Sequence, residues 1–463
     1  MKHRLMPFSR CEQSGETLTL LTPDSRVEGL PSVYQAEVER LRREWCEPTP
    51  LSSKLLAAGA VVDDSLIEYR LLARLEEYFR SNGHDTWGIR LGAHSKAAEP
   101  VVPQYLAQLV EGSSGLGADE SRPLAFLKAA VELYERYACS VLRNEELIYA
   151  EPRGVVIEPP LYAFWQRQLP GFPFVAAPSG AYVDATDPVL GQTVSAPAEL
   201  VFNPYYHGAM CGDASSNGVA AHPDRDTALL KSAYELVERD ALMFHWFRGL
   251  RREQIEPPEA FRDRVARLEE LQFEVRFINL TLEVAPVILA IARRPRELHP
   301  RLTLGMGCAS TPKAAMAKAL EEIESMITFV DVEPAAALRA ESDVTTVMDH
   351  HTWYSQGDNS DAVMEMVGPD VCGLHTVVAG PSTVPQMHAK LHEHDLRWHA
   401  IDLNLSGAEQ TGVHVIRSMI PGLIPISFGY KMEPLGHPRL LRPFWEGVPR
   451  RCTSAGYRIQ PFA

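Results

Sequence analysis

The sequence lacks several features that would assign it to a broad class at once. No apolar run approaches the roughly 18 uninterrupted residues that a membrane span requires, and the N-terminal segment has no apolar run typical of a signal peptide. The net charge of −15 leaves little basic surface for nucleic acids or anionic membranes. These absences favour a cytoplasmic protein that binds neither a nucleic acid nor a membrane.

Cysteine is also scarce, and its spacing excludes common uses. The 7 cysteines stand singly, without a Cys-x-x-Cys pair, so we expect reduced thiols and no structural zinc site. The chain has no Gly-x-x-x-x-Gly-Lys-[Ser/Thr] sequence, which excludes a Walker A phosphate loop. No Ser–His or Cys–His pair stands out as a nucleophile with its base.

Helical and strand-like patterns alternate along the 463 residues and predict an α/β (α+β) fold. Apolar residues at helical spacing predict a helix over 65–81 that stops at Asn82-Gly83. Residues 273–294 alternate like strands. Three long helices are predicted further along, each after a segment rich in Gly and small residues that we expect to be a loop.

Two of these loop-plus-helix units are copies of each other. Residues 113–136 align without gaps on residues 216–239, and 12 of the 24 aligned pairs are identical. A third, weaker copy begins at Gly305, keeps Glu322 and has Ser325 where the second glutamate is expected. The repeats predict internal pseudo-symmetry in the fold.

The copies suggest a site for a metal ion and a phosphate. Each intact copy has two glutamates three residues apart, which face the same way on a helix. Four clustered carboxylates repel one another unless cations bind, and Mg²⁺ prefers such oxygen ligands together with phosphate and water. The predicted metal ligands are Glu132, Glu135, Glu235 and Glu238.

Phosphate is expected at the loops, because helix N-termini offer free N–H groups and a favourable dipole. Arg136, Arg239 and Arg439 would neutralise further phosphate charge. Two simpler interpretations stay open. Glu-x-x-Glu-Arg is also an ordinary helix surface with ion pairs, and duplicated architecture does not require a working site.

Several motifs follow one another in the chain: SSGLG…AVELYER, GQTVSAPAELVF, SSNGVAAH…ALLKSAYELVERDA, GMGCAS…AKALEEIES, IRSMIPGLIPISFGY and LGHPRL. In these motifs the chain resembles the YcaO-domain family over roughly residues 105–463.

The resemblance implies that ATP and Mg²⁺ bind between the repeat units. It implies a YcaO-like catalytic domain at 105–463 after a mixed α/β region of unclear role at 1–104. The four glutamates become metal ligands, and Arg239 and Arg439 become catalytic residues near phosphate. The residues implied to bind the nucleotide are Ser113, Gly115, Arg136, Ser216, Asn217, Gly218 and Glu322.

The resemblance also implies the reaction. A Cys, Ser or Thr side chain of a ribosomally made precursor peptide adds to the preceding amide carbonyl. ATP then phosphorylates the amide oxygen, phosphate leaves, and an azoline remains. Because residues 1–100 show no clear leader-binding module, a separate leader-binding partner protein is expected. A homodimer is expected by analogy with such folds.

Three departures from the family pattern leave other outcomes open. Leu116 stands where relatives often have Lys, Ser325 stands where azoline-forming relatives often have Gln, and RIQPFA replaces a proline-rich segment. The alternatives are thioamide or amidine formation by the same amide activation, or a non-catalytic scaffold that keeps the fold.

Overall fold

The structure is a computed structural model, and it describes residues 1–90, 103–109, 113–140, 148–157, 180–203, 215–332, 338–356, 358–430, 432–435, 437–441 and 458–462. The strands are β1 His3–Leu5, β2 Arg10–Ser14, β3 Thr17–Leu21, β4 Arg26–Pro31, β5 Val61–Asp63, β6 Thr86–Arg90, β7 Gln104–Leu109, β8 Ser114–Ala118, β9 Tyr182–Thr186, β10 Thr193–Pro197, β11 Val219–His222, β12 Arg252–Glu256, β13 Glu274–Asn279, β14 Val287–Arg293, β15 Leu302–Cys308, β16 Val367–Gly373, β17 His399–Asp402 and β18 His414–Met419. The helices are α1 Gln35–Arg43, α2 Pro50–Ala57, α3 Ile67–Ser81, α4 Arg122–Ala138, α5 Arg225–Arg248, α6 Arg262–Glu270, α7 Pro312–Val332, α8 Val347–Tyr354, α9 Ser360–Met364, α10 Val384–Glu393, α11 Leu405–Thr411 and α12 Pro438–Leu441.

The chain forms two compact units. The first contains Met1–Ala138, Ala221–Pro223 and Asn404–Val415, and the second contains the remaining segments from Cys139 onward. The predicted domain boundary at residue 104 stays a prediction. Among the described residues, no helix combines the length and apolar character that crossing a bilayer demands.

The first unit contains three small antiparallel sheets, in the orders β1-β5, β2-β3-β4 and β6-β7-β8. The predicted helix at 65–81 is α3, and its final residue is followed by Asn82 and by Gly83 at φ +80°. Helix α4 lies against β7 and β8, and its buried residues include Phe126, Leu133 and Tyr134. This packing fixes the face of α4 that its glutamates occupy.

Much of the second unit is built on the sheet β15-β14-β13-β12-β16, in which β12 and β16 pair in parallel. The predicted strands at 273–294 are β13 and β14. Every residue of β15 is buried, and α7 and α5 pack against this part of the sheet. Helix α5 begins after Asp224, whose side chain accepts the Thr227 N–H at 2.8 Å, and ends at Gly249 in the left-handed conformation. Another sheet has the order β10-β9-β17-β18-β11.

The Gly-rich segments before the first and third repeat helices are strands, so the loop prediction was wrong for these two copies. In β15, a Cβ atom on Gly307 would lie 1.9 Å from the backbone oxygen of Ala315 in α7. In β8, a Cβ atom on Gly117 would lie 2.1 Å from the backbone oxygen of Ala125 in α4. The glycines therefore let a strand lie directly on the backbone of the helix that follows it. In the sequence, the same small residues indicate a loop.

This contact predicts a strong effect for Gly307→Ala. The added methyl group meets helix backbone rather than a movable side chain, so β15 and α7 must separate. We expect a loss of about 2–3 kcal/mol in the free energy of unfolding, measured by urea denaturation. Gly154→Ala is the matched control in the same unit, because its nearest atom, Thr193 O, is 3.6 Å away. Equal stability of the two variants would contradict the close strand–helix contact.

Candidate functional site

The second repeat places its acidic residues on α5 in the second unit. Glu235 Oε2 accepts the N–H of Gly218 at 3.1 Å. Gly218 has a φ of +77°, and its carbonyl oxygen accepts the Ser418 N–H at 2.7 Å. The side chain of Glu238 is completely buried. Burial raises the pKa of Glu235 although Arg239 opposes this effect.

Two residues of the third copy, both on α7, complete a charged cluster with these residues. Lys318 Nζ donates to Glu238 Oε2 at 2.9 Å, and Glu322 Oε2 accepts the Met306 N–H at 2.8 Å. Burial and the nearby Glu238 carboxylate raise the pKa of Glu322 to about 7. Partial burial by itself would lower the pKa of Lys318, but the carboxylates of Glu238 and Glu322 outweigh this effect and raise the pKa above its usual value. The cluster thus opposes three carboxylates with two cations, Lys318 and Arg239.

Arg239 lies between the two glutamates of α5 without bonding tightly to either. Its guanidinium nitrogens are 3.7 Å from Glu235 Oε1 and 3.8 Å from Glu238 Oε1. Among the described residues, Arg239 Nε, Arg239 Nη1 and Glu238 Oε1 are buried without a hydrogen-bond partner. Buried polar atoms are normally paired, so these unpaired atoms fit an anion bound at the arginine and a cation bound at the glutamate.

A short segment, Arg458–Phe462, covers Arg239 from another side. The ring centroid of Phe462 is 4.4 Å from the Arg239 guanidinium carbon. Three buried side chains hold the segment: Trp246 Nε1 donates to Arg458 O at 3.1 Å, Tyr354 Oη donates to Ile459 O at 2.5 Å, and His350 Nδ1 is 2.7 Å from Gln460 O.

An apolar pocket of about 90 Å³ adjoins the cluster. Asn217 and Arg239 line it together with side chains such as Leu236, Ile424 and Phe428. Asn217 and Ser216 belong to a turn in which Ser216 O accepts the Val219 N–H at 3.0 Å. The structure therefore brings Asn217, Gly218, Glu235, Glu238, Arg239 and Glu322 of the predicted residues into the same part of the second unit.

The first repeat forms similar contacts in the first unit. Glu132 Oε2 accepts the Leu116 N–H at 2.8 Å, as Glu322 does with Met306. Glu132 Oε1 also pairs with Arg136 at 2.5 Å, and Arg136 Nη1 donates to Ser114 O at 2.8 Å. Glu135 Oε2 accepts the Ala221 N–H at 2.9 Å. These glutamates bind strand N–H groups, and their role as metal ligands stays a prediction.

Ser113 and Gly115, which were predicted to bind the nucleotide, make contacts within the fold. Ser113, just before β8, accepts the N–H of Leu109 on its carbonyl oxygen at 2.8 Å. Gly115 lies flush against α4, where a Cβ atom would be 2.2 Å from Ala129 O. Neither contact is that of a free phosphate loop. The roles of Ser113 and Gly115 toward a nucleotide stay predictions.

Arg439 bonds to protein carboxylates. Its Nε is 2.9 Å from Asp240 Oδ1, and its Nη2 donates to Glu283 Oε2 at 2.6 Å. Burial raises the pKa of Asp240 to about 6, although Arg439 and the Ile424 N–H favour the charged form. In the structure, the charge of Arg439 is paired with these two carboxylates. Its role toward phosphate stays a prediction.

The donor set fits Mg²⁺ and a nucleotide. Within the described ranges, no three His, Cys, Asp or Glu side chains are arranged to hold a metal ion by themselves. Mg²⁺ is commonly bound through one or two carboxylates, with water and substrate phosphates completing its octahedron. Glu235 and Glu238 would supply such carboxylates, and Arg239 would supply N–H groups for phosphate.

Sequence reasoning missed two residues of this site. Lys318 recurs at the repeat position of Lys128 and Lys231, so the repeat alignment carried a signal for it. Phe462 had no signal, because nothing in RIQPFA indicates contact with a residue of α5.

The chain is similar in sequence to known proteins. The family model described as YcaO cyclodehydratase, ATP- and Mg²⁺-binding, matches residues 166–424. A Methanothermobacter thermautotrophicus protein described as uncharacterized is 25% identical over 235 residues, which cover 49% of this chain and 60% of that relative. The family description names the two predicted cofactors, ATP and Mg²⁺.

Solved structures share the fold. YcaO from Methanopyrus kandleri bound with AMPPCP and Mg²⁺ has a TM-score of 0.60 at 19% identity, covering 77% of this chain and 91% of that one. The E. coli microcin synthetase McbBCD complex with pro-MccB17 bound has a TM-score of 0.54 at 14% identity, covering 81% and 96%. The predicted α/β fold class is confirmed.

Proposed function

Because the chain belongs to the YcaO family, we propose that it uses ATP and Mg²⁺ to modify a backbone amide of a ribosomally made precursor peptide. The observation that carries the proposal is the cluster on α5 and α7, where unpartnered Glu238 Oε1 and Arg239 N–H groups lie side by side. A cation and an anion bound there would satisfy both. The proposed product is an azoline formed from Cys, Ser or Thr.

The residues of the cluster have distinct roles in this proposal. ATP supplies the phosphoryl group that makes the amide oxygen a leaving group, and Mg²⁺ neutralises its charge. Glu235 and Glu238 hold the metal ion, and Arg239 orients and neutralises phosphate oxygens. The Gly218 N–H holds the Glu235 carboxylate in place. The nucleophile comes from the peptide, so the protein contributes positioning and charge rather than a nucleophile of its own.

Glu132 and Glu135 are proposed as metal ligands, and Arg136 is proposed to bind the nucleotide. Ser113, Gly115, Ser216, Asn217, Gly218 and Glu322 are proposed at the nucleotide. A separate leader-binding protein is proposed as the partner. The E. coli microcin synthetase complex, which has the same fold in one of its chains, supports an assembly that includes a peptide.

Mass spectrometry tests the function. The chain is incubated with ATP, Mg²⁺ and the Cys/Ser/Thr-rich peptide encoded beside its gene, together with any partner encoded there. We expect the peptide to lose the mass of one water for each azoline, only when ATP is present. A gain equal to sulfur minus oxygen would indicate a thioamide, and tandem fragmentation separates an azoline from an amidine ring. No ATP binding by calorimetry under any of these conditions would favour the scaffold alternative.

A further inference from the structure

Lys318 donates a hydrogen bond to one of the two oxygens of the buried Glu238 carboxylate. Its Nζ lies 2.9 Å from Glu238 Oε2, while Glu238 Oε1 has no hydrogen-bond partner among the described residues. Glu238 is completely buried, whereas the Lys318 side chain is 42% exposed. The lysine therefore reaches inward from α7, so that the two oxygens of Glu238 differ in what they can bind.

This difference matters for the choice of metal ion. Ca²⁺ takes six to eight oxygen ligands at variable distances and often binds both oxygens of one carboxylate. Mg²⁺ demands a small, regular octahedron and usually takes a single oxygen from each carboxylate. An oxygen that accepts a charge-assisted hydrogen bond from an ammonium group is a poor ligand for a second cation.

We propose that Lys318 is a specificity-determining residue that restricts Glu238 to one-oxygen binding and so favours Mg²⁺ over Ca²⁺. This inference rests on the proposed function, because it takes Glu238 as a metal ligand. Lys318 acts through Glu238 and is a positioning residue. The positive charge of Lys318 also lowers the affinity of the site for every cation. The ratio of the Ca²⁺ and Mg²⁺ affinities removes this common effect and leaves the effect of restricting Glu238 to one oxygen.

Calorimetry of metal binding tests the proposal. Mg²⁺ and Ca²⁺ are titrated separately into wild type, Lys318→Met and Lys318→Arg in the presence of a non-hydrolysable ATP analogue. We expect Lys318→Met to raise the affinity for Ca²⁺ relative to Mg²⁺ by about tenfold, the scale on which losing a hydrogen-bond partner of a metal ligand changes metal affinity. Lys318→Arg keeps a charged donor and should keep the wild-type ratio.

Two further variants make the outcome decisive. Lys128→Met removes a lysine from the equivalent repeat position, where Nζ pairs with Asp119 at 2.9 Å, and controls for net charge. Lys318→Gln retains a weaker neutral donor, and it should shift the ratio in the same direction as Lys318→Met, even if the Met variant does not fold. Affinities for both metals that rise by the same factor would overturn the proposal. If wild type itself takes up no Mg²⁺ with the analogue, the proposed function fails instead.

Discussion

Replacing Glu235 by Gln is expected to reduce ATP turnover by a factor on the order of a thousand while the protein stays folded. The amide oxygen of Gln can still accept the Gly218 N–H that Glu235 Oε2 accepts at 3.1 Å, so the backbone contact survives. What disappears is the negative charge beside Arg239, whose nearest nitrogen is 3.7 Å from the carboxylate. Burial already disfavours the charged form of Glu235, so a neutral side chain of the same shape should change the free energy of unfolding by at most about 1 kcal/mol.

The loss of activity follows from electrostatics. In phosphoryl transfer the protein supplies mainly positioning and charge neutralisation, so losing a metal-ligating carboxylate affects the chemical step directly. We expect a decrease in kcat on the order of a thousandfold. ATP hydrolysis in the presence of peptide and partner measures it, and mass spectrometry of the peptide measures the coupled modification.

Glu270→Gln is the matched control for this variant. Glu270 is an exposed residue at the end of α6, and its replacement removes the same single charge from the same unit. Turnover should be unchanged. Wild-type turnover and full peptide modification in Glu235→Gln would remove Glu235 from the proposed metal site.

The sequence predicted most of what is local in this fold. Helix α3 follows a periodicity of 3.6 residues, and strands β13 and β14 lie within the segment 273–294 where strands were predicted. The glutamates of α5 were identified because a duplicated unit repeats them in register. Local pattern and repetition were enough for the fold class and for part of the candidate site.

The sequence did not predict contacts between distant segments. The Gly-x-Gly pairs of β8 and β15 were expected to be loops, because small residues signal a break unless a helix is known to lie against them. Lys318 of α7 and Glu238 of α5 meet although 80 residues separate them, and no local pattern encodes this contact. The same is true of Phe462 and Arg239, which are remote in sequence.

Phe462→Ala is expected to lower both stability and turnover, through two separable effects. The side chain is only 5% exposed, so removing it should cost about 3–5 kcal/mol in the free energy of unfolding. Its ring centroid also lies 4.4 Å from the Arg239 guanidinium carbon. Without the ring, the guanidinium loses a contact that restricts its position. A misplaced phosphate-binding group can cost on the order of a hundredfold, and we expect kcat/KM for ATP to fall by about that factor.

Phe462→Leu separates burial from the contact with the guanidinium. Leucine restores most of the apolar volume but has no aromatic face, so it should regain most of the stability and little of the turnover. Phe273→Leu is the matched control, since Phe273 is buried in the same unit and its ring faces Arg294 at 4.6 Å. Phe273→Leu removes the same kind of ring contact from Arg294. It should lower the free energy of unfolding without changing ATP turnover. If Phe462→Leu is as active as wild type, Phe462 contributes packing alone and Arg239 is positioned by its two glutamates.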